Sequence, residues 1–219
     1  MTQKTPLAHV FAHYDDNIPY AFSEQFLATP ERDYDVILEG KMHKIWHRPR
    51  WFRPLFWLLG KIGILVPQAG ENIATTLAVI PGYFQDGAAY HEWNRTFAFA
   101  EPIQFNTAVV YDETYHNIAD RVGPKHILHM VWDGKFTPPN TFTLDTITNA
   151  FHWHDKIIYM PGWLWKVLLG RVKFKQQAHV DEDDVVDVDL RILHPIFGEV
   201  FGYTGTFRTV RYPKKGGVS

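Results

Sequence analysis

The chain has no cysteine, only two serines, no large excess of charge of either sign and no apolar run of membrane-spanning length. Without thiols there are no disulfides, no thiolate zinc sites and no cysteine nucleophile, a composition compatible with a reducing cytosol. Neither Ser23 nor Ser219 stands in a nucleophile-elbow pattern, which argues against a serine hydrolase. With 22 Lys and Arg against 24 Asp and Glu the net charge is −2, too little positive field for a nucleic-acid partner. No G-x-G-x-x-G follows a strand pattern and no H-E-x-x-H occurs, so neither a dinucleotide cofactor nor a metal centre is expected. The opening MTQKTPLAHVFAHYDD lacks the long apolar core of a secretory signal, and a cytoplasmic location is the expectation.

Aromatic residues are abundant. At 16% of the chain they call for a thick core or an apolar binding surface. The most apolar stretch is 51–66, WFRPLFWLLGKIGILV, whose only charges are Arg53 and Lys61. Leu55, Leu58, Leu59, Ile62 and Val66 share one helical face, while Phe56, Trp57 and Ile64 spread over the rest. A helix apolar nearly all round must be enclosed, so the pattern predicts a helix over Pro54 to Val66 wrapped by a sheet. A transmembrane span needs roughly 20 apolar residues, which this stretch does not reach. The alternative is a helix lying in a membrane surface, because Arg48, Arg50 and Arg53 sit beside Trp51, Phe52 and Trp57.

Around that stretch the period of the sequence is mostly two. A short helix is expected from Pro6, with Leu7, Val10, Phe11 and Tyr14 on one face, and a helical turn at Ser23 to Leu27. From Tyr34 to His47 apolar and polar residues alternate as in a half-buried strand, with Gly40 as a bulge. Strands follow near Ile73–Val79, His91–Phe99, Ile103–Tyr111, Tyr115–Val122, His126–Phe136 and, as one or two, Phe142–Ile158. Pro161-Gly162 opens a short helix that Gly170 stops. Val172–Val180 and Val185–Leu193 form a hairpin around the acidic DEDD turn, and Val200–Arg211 makes a last strand.

Many strands at about 8 to 12 residue spacing indicate an antiparallel sandwich or barrel. The expected fold class is α+β, mainly antiparallel β, with a strongly curved sheet or partly open barrel wrapped round short helices. One domain is expected over residues 1–212, with a disordered tail at 213–219. Helix-grip proteins of the START and polyketide-cyclase type look similar over the first two thirds of this order, but they end in a long helix where this chain has strands. A calycin-like barrel with inserted helices is the alternative.

Several short motifs carry a further likeness: Gly40 with Met42, Pro67 and Gly70, Trp93, Arg95 and Phe97 as W-x-R-x-F, Gly123-Pro124, and His194-Pro195 followed by Gly198, Tyr203 and Gly205. On these residues the chain resembles the bacterial domain of unknown function family 4166, whose members can be fused to saccharopine-dehydrogenase-like reductases. The resemblance implies no activity. It does imply that a reductase can be a partner, as a separate chain.

Arg95 is the most informative candidate. It stands between Trp93 and Phe97 on an inward strand face, where a guanidinium must be paired. Its bland reading is a salt bridge within the protein or an outward-facing strand side; its functional reading is an anchor for the carboxylate or phosphate of a ligand. The leading expectation is a protein that binds an apolar small molecule or lipid, with Arg95, Trp93, Phe97, Trp57 and Tyr203 at the cavity. The alternatives are a cyclase- or dehydratase-like enzyme using His91 as proton carrier, and a module that docks on a reductase or a membrane surface. His152 and His154 would project to one side of a strand, but surface histidines are the expected reading rather than a metal pair.

Overall fold

The computed structural model describes residues 5–14, 17–123, 126–153, 156–168 and 170–214, without the side chains of Trp51, His152, Trp153 and Leu168. It is a closed barrel of ten antiparallel strands with short helices packed against it. β1 (Tyr34–His47), β2 (Gly70–Tyr83), β3 (Ala89–Phe97), β4 (Ile103–Asp112), β5 (Asn117–Val122), β6 (Leu128–Thr137) and β7 (Thr141–Trp153) follow one another up and down. β9 (Arg171–Ala178), β10 (Val185–His194) and β11 (Gly198–Pro213) return to β1, and β6–β7 together with β7–β9 close the circle. Closure leaves no exposed edge among the ten strands.

β7 pairs with β9 only through Thr141–Asp145. Its far half, Ala150–Trp153, pairs instead with β8 (Lys156–Tyr159), which lies beyond the ring of ten. The wall therefore gains a local extra strand.

The alternation expected of the strands sets the interior. On β3 His91, Trp93, Arg95 and Phe97 are buried, and register places them opposite Leu77 and Val79 on β2 and Thr107 and Val109 on β4. The bulge in β1 falls between Met42 and Lys44, not at Gly40. Gly40 has a different role, since a Cβ there would overlap the Thr206 carbonyl of β11. The last strand runs two residues beyond the expected Arg211: Arg211–Pro213 pair with β1, and Lys214 N–H donates to Asp33 O at 3.0 Å.

α1 (Ala8–Phe11) and α2 (Tyr20–Phe26) fill the end of the barrel where β1 begins. Phe26 stacks on Trp93 with centroids 5.8 Å apart and meets Phe142 at 4.6 Å, and Phe11 reaches Phe136 at 5.3 Å. Glu24 fixes the helix to the wall. Its carboxylate accepts hydrogen bonds from Arg211 at 2.9 and 2.8 Å and from Arg32 at 3.1 Å. Burial would raise this carboxyl, but the Arg211 and Arg32 guanidinium groups and the Tyr34 hydroxyl outweigh it and hold it below the ordinary range.

At the other end of β1 the reading of 51–66 needs correction. A 3-10 turn at Arg50–Phe52 leads into α3 (Arg53–Lys61), which is shorter than expected and lies across the barrel end. Only Phe56 of α3 is buried, against His47 and Phe201, while Trp57 and Leu58 are exposed. A helix resting on one side of a support can hide one stripe, and Phe52 and Phe56, four residues apart, supply it. α4 (Gly162–Leu168) follows β8, and Gly170, at φ 84°, turns the chain where a side chain would meet the Leu193 carbonyl.

Chemical denaturation should separate the two ends. Phe142→Ala is expected to cost about 3–5 kcal/mol, because it opens the aromatic plug. Trp57→Ala should change stability by less than about 1 kcal/mol, since its ring already faces solvent.

Candidate functional site

Arg95 lies inside the barrel, buried, with its guanidinium over the rings of Trp93 (5.2 Å) and Phe105 (5.4 Å). Its Nη1 donates to Thr107 Oγ1 at 3.3 Å. Among the described residues no carboxylate lies within ion-pair distance of it. The inward-facing Asp120 of β5 is in electrostatic reach of it, and burial pushes that carboxyl up to about 6 against the pull of Arg95 and Thr107. Neither expected reading of Arg95 is therefore met in full: it is neither ion-paired nor open.

The cavity beside it is lined by Trp93, Arg95 and Tyr203, together with Gln25 of α2, Met42 and Gln176. Three of the five expected ligand residues thus meet at one place. Phe97 shares their strand face but packs into the core without lining the space, and Trp57 is on the outer face of α3, away from it. The volume is about 20 Å³, room for one water. Gln176 Nε2 donates to Gln25 Oε1 at 3.0 Å, and Gln25 Nε2, Gln176 Oε1 and Trp93 Nε1 have no partner among the described residues. Among the described residues, the space beside Arg95 is too small for the apolar compound or lipid expected from the sequence. The α2 plug occupies the volume such a compound would need.

His91, the candidate proton carrier, shares the buried strand face of Arg95. Its Nε2–H donates to the Ala28 carbonyl at 2.9 Å beneath the α2–β1 connection, and it does not line the cavity. Burial lowers its pKa to about 4, leaving it neutral at pH 7. Of the weighed metal pair, His154 and the side chain of His152 lie outside the described residues.

A second site, missed from the sequence, lies on the outer face of the wall. β8 folds over β4–β6 there, and a cleft of about 980 Å³ opens between it, the β2–β3 loop and residues 5–9. On its floor Asp112 accepts from Tyr159 OH at 2.8 Å, from His129 Nε2–H at 2.7 Å and from Tyr115 N–H at 2.9 Å. Burial alone would raise the Asp112 carboxyl, but these three hydrogen bonds outweigh it and keep it ionised below the usual range. Burial lowers His129 and raises Tyr159. Beside them Arg121 lies over Phe84 at 5.3 Å, with no ion pair among the described residues and with its Nε buried and unpartnered. Asp86 and Glu113 line the mouth, so the cleft is net acidic around one half-buried cation.

The profile of the family described as "Domain of unknown function (DUF4166)" matches residues 19–207. A curated relative, "Uncharacterized protein YndH" of Bacillus subtilis (strain 168), is 29% identical over 121 residues, 53% of this chain and 55% of its own length. The chain thus spans about half the length of the curated relative it matches. No solved structure is a significant match.

His91 makes stability depend on pH with a definite sign. Its folded pKa is depressed from 6.5 to about 4, so the unfolded chain binds more protons between these values and His91's contribution, complete above pH 6.5, is lost as pH falls to 4. His91→Gln cannot titrate. The stability gap between wild type and this variant, read by urea melts, should shrink by up to about 3 kcal/mol from pH 7 to 4.

Proposed function

The chain belongs to the DUF4166 family, and from the geometry of its barrel we propose that it is a small-molecule-binding protein whose ligand is taken in the outer cleft. The observation that carries this reading is Arg121, a half-buried guanidinium without an ion pair among the described residues, held beside the Asp112–Tyr159–His129 network in a space of ligand size. Arginine is suited to bind a carboxylate with two parallel hydrogen bonds. The acidic mouth, Asp86 and Glu113, disfavours a purely anionic ligand and complements an ammonium group. A zwitterion carrying both groups, such as a free amino acid, fits this distribution. Tyr159, the hydroxyl that the Asp112 carboxylate holds in place, is the acid–base group a turnover reaction would use here.

A second, interior reading is the one anticipated from the sequence: Arg95 as anchor for the acidic group of an apolar compound. Its support is the lack of an ion pair at Arg95 and the unpartnered Gln25, Gln176 and Trp93 atoms around one small space. Anything larger than a water requires α2, which contributes Gln25, to withdraw.

Calorimetric titration distinguishes the two. A panel of free L-amino acids is expected to include a binder whose affinity falls at least about tenfold in Arg121→Met, while hexanoate does not bind. Hexanoate binding that depends on Arg95 would transfer the site to the interior. Absence of binding in both series would dismiss both readings.

A further inference from the structure

α3, the β10–β11 turn and α4 form one continuous end of the barrel. Phe52, just before α3, meets Phe197 of the turn at 5.3 Å, and His194 Nε2–H donates to the Val167 carbonyl of α4 at 2.7 Å. This end exposes apolar side chains from all three elements: Trp57 is 55% exposed, Trp163 69% and Ile196 71%, with Leu58 and Val167 beside them. No other region of the described barrel presents two exposed tryptophans.

The charge around this face is one-sided. Between Gly40 and Gly70, and again between Lys156 and Val180, the chain has no Asp or Glu. Elsewhere Arg32, Arg191, Arg208 and Arg211 each pair with a carboxylate, and within the second stretch Arg171 pairs with Asp145. Arg48, Arg50, Arg53, Lys61 and Lys166 are exposed and make no ion pair among the described residues. Lys61 instead lies over the Trp57 ring at 4.0 Å. The acid nearest in sequence to the turn, Glu199, is already engaged by Trp46 Nε1–H at 2.6 Å and Arg191 at 3.2 Å.

We propose that this end of the barrel is a docking face for the surface of an anionic lipid bilayer. Exposed tryptophans among unpaired basic side chains match the chemistry of the headgroup region, where the rings enter the interface and the cations meet phosphates. Among the described residues no helix is long and apolar enough to cross a bilayer, so the contact is with the surface. A second copy of the chain is a poorer occupant, because a two-fold contact would set this basic cluster against itself. The inference is independent of the ligand reading, since the cleft is lined by none of these residues.

Vesicle flotation of the whole chain tests it. Vesicles of phosphatidylcholine with phosphatidylglycerol should carry the protein at low salt, and pure phosphatidylcholine vesicles should carry it at least about tenfold less well. Arg50→Glu with Arg53→Glu, and separately Trp57→Ser with Trp163→Ser, should each reduce flotation about tenfold or more at unchanged melting temperature. All four side chains are exposed, so the fold is expected to survive. No flotation with the anionic vesicles, or flotation indifferent to both pairs, would overturn the proposal. A dimer in light scattering that the same substitutions dissolve would also overturn it, by assigning the face to a second copy.

Discussion

The width of a ten-stranded barrel is the constraint from which the rest of this structure follows. Eight strands enclose a space that their own inward side chains can fill, and each added strand widens it. Ten strands need more material. Here it comes from the N-terminal helices, whose Phe11, Phe22 and Phe26 meet Phe136, Phe142 and Trp93 of the wall. Part of the high aromatic content therefore goes to closing a wide cylinder. Glu24 explains why the plug stays in one orientation: an acid this deeply enclosed is tolerable only because two arginines surround it, one from the end of β11 and one from its own loop.

A filled interior shifts the place where chemistry can occur. Arg95, Asp120, Gln25 and Gln176 leave a polar seam inside the core, but the space between them admits no more than a water. The outer wall has room because β7 is longer than its pairing with β9, and its free half recruits β8. That strand carries Tyr159 over β4–β6 and turns three outward positions, Asp112, Arg121 and His129, from surface into floor. The burial that perturbs these groups is thus a consequence of one strand outrunning its neighbour.

The sequence made the inward faces legible and left direction illegible elsewhere. W-x-R-x-F reads as an inward strand face because period two has only two faces, and Trp93, Arg95 and Phe97 are all buried as that pattern requires. For Trp57 the same hydrophobicity misled: an apolar residue on a helix does not declare whether its cover is protein, lipid or solvent. The cleft was harder still, since Asp112, Arg121, His129 and Tyr159 come from four strands and share no motif. One trace of it was available. Thr107 to Val110 is apolar or small at consecutive positions, and all four are buried, whereas a barrel strand with one face in water should alternate. The apolar outward residues Ala108 and Val110, matched by Ala119 and Val131, required a cover over the outer wall at β4–β6.

The two ends of the barrel are closed by different physics, and this separates what each can do. At the α2 end, closure depends on ion pairs to Glu24 and on interlocked rings that bury Phe11, Phe22 and Phe26 together. At the α3 end, closure depends on Phe52 and Phe56 packing against His47, His194, Phe197 and Phe201, a contact that engages one stripe of a short helix. A stripe suffices for stability because the strands beneath are already paired around the circle. The opposite stripe is then free of structural duty, and its tryptophan and leucine cannot be accounted for by the core. Polar residues there would cost the fold little, so the apolar side chains, within a segment of the chain that excludes acids, are the feature on which the docking proposal rests.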